Sequence, residues 1–150
     1  MKMFILRGKA GDYALPGGKS KYWANGALDD TAAMDFARLR GYEPKMIPVA
    51  GNSGYNSAQM REALKQIRAD DDVFALYGFS AGGYTVWNII NKALTTKEKE
   101  RLALVVVLGS PGPPAMDTYR GDWELIFREN PPEGHMAGPQ ALLKRPYGPD

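Results

Sequence analysis

The chain has 150 residues, 44% hydrophobic and 24% charged, a balance that suits one globular domain over 1–150 and excludes a disordered or fibrous chain. Its 19 Lys and Arg stand against 17 Asp and Glu, and short basic pairs such as Lys144-Arg145 make no nucleic-acid footprint. Cysteine is absent and no apolar run approaches about 18 residues, so neither disulfides nor a membrane span is expected, and a cytoplasmic location is.

Met3-Phe4-Ile5-Leu6 reads as a first strand, ended by Arg7-Gly8. Residues 8–26 read as a long loop, a kind of segment that is usually functional in a compact domain. Gly18-Lys19-Ser20 hints at a phosphate-binding loop, but the motif needs glycine where Tyr13 stands, so no nucleotide cofactor is expected. Apolar spacing through Leu28, Ala32, Phe36 and Leu39 predicts a helix over 27–40, with Asp29 and Asp30 in its first turn and Gly41 as its stop. Lys45-Met46-Ile47-Pro48-Val49 reads as a second strand, placed at an edge by Pro48. A helix over 58–69 follows, capped by Asn56 or Ser57, with Met60, Ala63, Leu64 and Ile67 on one face. Asp70-Asp71-Asp72 reads as a solvated loop, because a metal site would need spaced partners and a coordinating turn.

The most informative stretch comes next. Val73-Phe74-Ala75-Leu76-Tyr77 is an apolar run of strand length, Gly78-Phe79-Ser80-Ala81-Gly82 follows, and a helix pattern over 81–94 begins at once. Strand, sharp turn and helix are the context of a nucleophile elbow, which presents a serine at the carboxyl end of a central strand. Glycine two residues before and after Ser80 allows the close approach such a turn requires. Thr95 to Arg101 reads as a polar connection. Leu102 to Leu108 is rich in β-branched residues and reads as a strand buried on both faces, broken by Gly109-Ser110-Pro111. Trp123 to Phe127 is a fifth strand, Pro131 to His135 a rigid loop, and residues 140–144 a short helix. Strands alternating with amphipathic helices predict a three-layer α/β/α sandwich around a mostly parallel five-stranded sheet.

A serine hydroxyl needs a base, and the base needs an orienting acid. His135 is the single histidine, and it follows Ser80 in the order that elbow enzymes use. Asp117, Asp122, Glu124 and Glu129 lie between them; Glu129, just past the fifth strand, is preferred as the acid, with Asp117 as the alternative. The oxyanion donors would be the backbone N–H of Ala81 and that of Gly8 or Lys9, after the first strand. Tyr22, Trp23 and Tyr55 fall in or beside loops at the same end and are candidates for lining a substrate pocket.

At Gly78-Phe79-Ser80-Ala81-Gly82 the chain resembles the α/β-hydrolase superfamily, and its element order resembles the small, lidless cutinase-like branch. The resemblance implies a minimal hydrolase sheet of order 2-1-3-4-5 and a serine esterase, lipase or thioesterase that needs no metal or other cofactor. It also adds weight to Glu129 as the acid. The expected substrate is a small carboxylic ester or thioester. Acyl transfer by the same residues, or a non-catalytic binding module on this fold, is the alternative.

Overall fold

The computed structural model describes residues 1–8, 23–47, 57–110, 112, 121–129 and 138–143, with side chains in the first helix from Asp30 onward. In chain order the elements are β1 (Lys2–Leu6), α1 (Trp23–Leu39), β2 (Glu43–Ile47), α2 (Ser57–Ile67), β3 (Phe74–Phe79) and α3 (Ala81–Asn88). A π turn (Ile89–Ala93), α4 (Thr96–Arg101), β4 (Leu102–Leu108), β5 (Glu124–Arg128) and α5 (Gly138–Leu143) complete them. The sheet has order β2-β1-β3-β4-β5, and all four strand pairs are parallel.

Parallel strands need helical crossovers that cover both faces of the sheet, so their interior strands are apolar throughout. Every residue of β3 is buried, and so are all those of β4 except Ala103. On one face Phe4, Leu6, Leu76, Val105 and Val107 pack against Ala63 and Ile67 of α2 and Val86 of α3. On the other, Met3, Ile5, Tyr77 and Val106 meet Phe36 and Ala37 of α1 and Leu142 of α5. The β3–β4 register runs Phe74↔Leu102 and then Ala75↔Leu104, so Ala103 is an extra residue on β4. This bulge lets Leu102 and Leu104 face opposite cores although they are two positions apart. Among the described residues, no helix is long and apolar enough to cross a membrane.

Several boundaries depart from the sequence reading. β2 is the edge strand expected, but it begins earlier, so that Pro44, paired with Met3, is the proline inside it. An edge strand tolerates the missing N–H because only one neighbour needs its ladder. α1 starts at Trp23 rather than Ala27, which takes Asp29 and Asp30 out of the first turn. The expected helix over 81–94 changes character at Ile89. There Leu94 N–H donates to Ile89 O at 2.9 Å, and the wider turn buries the adjacent Ile89 and Ile90 together.

The connection over 95–101 contains a helix, α4, started by a capping box. Glu98 N–H donates to Thr95 Oγ1 at 3.1 Å, and Thr95 N–H donates to Glu98 Oε1 at 2.9 Å. The Glu98 carboxylate also takes a forked pair of bonds from Arg68 of α2, at 2.8 and 3.1 Å. The Arg68 bonds, chiefly, hold its pKa down from 4.5 to about 2. A depressed acid stabilises the fold above its unfolded pKa and loses that contribution as pH falls through the folded value. Glu98→Gln is therefore expected to be less stable by about 1 kcal/mol at neutral pH. Thermal unfolding of both proteins from pH 5 downward should show the gap closing toward pH 2.

Candidate active site

β3 runs buried to Phe79, and α3 begins at Ala81, so one residue makes the whole turn. Ser80 does so with φ 56° and ψ −122°, and among the described residues it is the one non-glycine at positive φ. Such a conformation costs about 1–3 kcal/mol and persists only where the surroundings over-determine it. They do so here. Ser80 N–H donates to Leu108 O at 2.8 Å, and Ser80 O accepts from Gly83 N–H at 3.0 Å. The fully buried Ser110 hydroxyl donates to the same carbonyl.

The glycines around Ser80 mark backbone contacts. A Cβ on Gly78 would lie 2.7 Å from Gly82 O. One on Gly82 would run into the Leu6 carbonyl and lie 2.8 Å from that of Arg7, so α3 starts pressed against the end of β1. A Cβ on Gly83 would strike the Ser110 hydroxyl.

Gly8 is the other side of the site. A Cβ there would lie 2.8 Å from Phe79 O, 3.0 Å from Ser80 Cβ and 3.5 Å from Ala81 N. The chain leaving β1 thus passes directly beside the serine and the first amide of α3. In a sheet of order 2-1-3-4-5, successive connections diverge between β1 and β3, and ligands of open α/β sheets bind outside the strand carboxyl ends at that crevice. Ser80, Ala81 and Gly8 meet there. The α3 N-terminus adds a positive dipole end that favours developing negative charge.

Two polar contacts hold the β1 exit. Arg7 Nη2 pairs with Asp30 Oδ2 of α1 at 2.8 Å, both side chains mostly buried. Burial outweighs the arginine and pushes the Asp30 carboxyl above its ordinary pKa. On the opposite face Gln59 of α2, fully buried, donates from Nε2 to Arg7 O at 3.2 Å and, at 3.5 Å, to Ile47 O.

Of the other expected site residues, Glu129 lies just past β5 and is exposed. β4 stands between β5 and β3, which separates the two strand ends by about 9–10 Å. His135, Asp117, Lys9, Tyr22 and Tyr55 lie outside the described residues; Trp23 opens α1, and its side chain lies outside them too. Asp70 is at the amino end of the sheet, paired with Lys2 Nζ at 2.5 Å.

Four residues that shape the site are not predicted by the sequence: Gln59, Ser110, Arg7 and Asp30. Gln59 carried a signal, since it occupies the i position of the i, i+4, i+8 stripe completed by Ala63 and Ile67, where a polar residue must find buried partners. Ser110 was hidden within a strand-breaking Gly-Ser-Pro. Arg7 and Asp30 carried no pattern at all, because their pairing depends on how α1 crosses the sheet. Comparison of this chain with protein-family models, with curated proteins and with solved structures gave no match.

Proposed function

We propose that the protein is a serine hydrolase of the α/β-hydrolase type, close to the small lidless cutinase-like enzymes, cleaving a carboxylic ester or thioester. The observation that carries this reading is Ser80, held in a strained turn at the crevice between β1 and β3. Strain of this kind concentrates at functional sites.

In the proposed reaction His135 takes the Ser80 hydroxyl proton as the oxygen attacks the acyl carbonyl. Charge developing on the carbonyl oxygen is met by the N–H of Ala81 and that of Gly8 or Lys9. Collapse expels the alcohol or thiol, which takes the proton from His135, and leaves an acyl group on Ser80. Water, deprotonated by His135, then releases the acid. Glu129, or Asp117 in its place, orients the imidazole. The same acyl-enzyme given another acceptor would make the protein an acyltransferase. The lack of cysteine suits a reducing compartment, and we place the enzyme in the cytoplasm.

A fluorophosphonate probe is expected to add to the peptide carrying Ser80, and p-nitrophenyl acetate to be hydrolysed. A folded protein inert to both would refute the reading.

A further inference from the structure

We propose that Gln59 is a positioning residue for the reaction at Ser80, fixing the peptide plane between Arg7 and Gly8. The inference rests on the serine-hydrolase reading and concerns how one side of its oxyanion site is held in place.

The Arg7 carbonyl and the Gly8 N–H belong to a single planar trans unit and point in opposite directions. Whatever fixes the carbonyl therefore fixes the N–H. β1 ends at Leu6, paired with Ile47 on one side and Gly78 on the other, so the Arg7 carbonyl lies beyond the ladder. It accepts instead from Gln59 Nε2 at 3.2 Å. The second amide hydrogen is directed to Ile47 O at 3.5 Å, so one side chain spans the carboxyl ends of two neighbouring strands. The same carbonyl also lies against Gly82, where a Cβ would stand 2.8 Å away. The carbonyl is thus wedged between α2 and α3, and rotation of this peptide would both break the Gln59 bond and press on α3.

Gly8 passes close beside Ser80, with an added Cβ only 3.0 Å from Ser80 Cβ. Oxyanion donors work by preorganisation, so an amide free to swing loses much of its value even when it stays nearby. A fully buried polar side chain on an otherwise apolar helix stripe is costly unless satisfied, and Gln59 is satisfied by this peptide.

The test compares wild type with Gln59→Met, which keeps the length and removes the donors, and with Gln59→Asn, too short to reach both carbonyls. Fold is checked by circular dichroism and thermal unfolding. We expect folded Gln59→Met to react with the fluorophosphonate about 10- to 100-fold more slowly. Its kcat for p-nitrophenyl acetate should fall by a similar factor while KM stays within about twofold. A merely structural glutamine would lower stability and leave both rates per folded molecule unchanged, and that result overturns the proposal. Should Gln59→Met not fold, the same kcat loss or its absence in Gln59→Asn decides. If wild type itself resists the probe, the parent reading fails and this one falls with it; a reactive wild type with an equally reactive variant removes only the role of Gln59.

Discussion

Ser80→Gly should abolish activity and, at the same time, leave the protein more stable than Ser80→Ala. Both variants remove the proposed nucleophile, and on that reading esterase turnover is expected to drop by roughly four to six orders of magnitude. They part company on the backbone. At φ 56° and ψ −122° an alanine inherits the strain of Ser80, whereas glycine occupies this region freely. The glycine variant should therefore exceed the alanine variant by about 1 kcal/mol, or roughly 2–4 °C in melting temperature for a chain of this size. Thermal unfolding of the pair checks this directly. Equal stability would show that Ser80 carries no strain, and the main support for a catalytic serine would be lost.

Gly82→Ala sets helix propensity against packing. Within a helix, alanine is favoured over glycine by about 1 kcal/mol, so propensity alone forecasts a gain. The structure forecasts a loss. The new methyl would be driven into the carbonyl of Leu6, the last residue of the buried strand β1, and to 2.8 Å from that of Arg7 just beyond it. We expect destabilisation by about 3 kcal/mol or more, read as a lower urea midpoint with little change in slope. Gly41→Ala is the control: its φ is +84°, with nothing within 4 Å of an added Cβ, so strain alone should cost it about 1 kcal/mol. A Gly82→Ala protein as stable as wild type would mean that α3 does not press on β1, and the contact of Gly8 with Ser80 would go with it.

What could be read from the sequence follows physical range. Leu102 to Leu108 announced a doubly buried strand because its burial is written in consecutive residues. Gly78, Ser80 and Gly82 announce a tight strand-to-helix turn because the steric demand acts within five positions. The capping box at Thr95 and Glu98 is equally local, yet among the charges of 97–101 it reads as part of a polar connection. Pro44 shows the limit of local rules: the edge position read from Pro48, which lies outside the described residues, is that of a strand whose pairing with β1 includes Pro44. The remaining contributors lie far apart in the chain. Gln59 reaches Arg7 across 52 positions and Ser110 reaches Ser80 across 30, and nothing near any of the four specifies its partner.

The bulge at Ala103 has a consequence at the far end of its strand. α4 is anchored below by Glu98 to Arg68, and β4 is anchored above by Leu108 and Ser110 to the backbone of Ser80. Between the two anchors the chain holds one residue more than an uninterrupted strand would accommodate, and Ala103 takes up the slack. β4 therefore behaves as a ruler whose length is set about 16 Å from where it is read. Shortened by Ala103 alone, it would pair without a bulge and keep both anchors; shortened by one residue more, it would have to let go of either the ion pair beneath the sheet or the bonds that hold the serine in its turn.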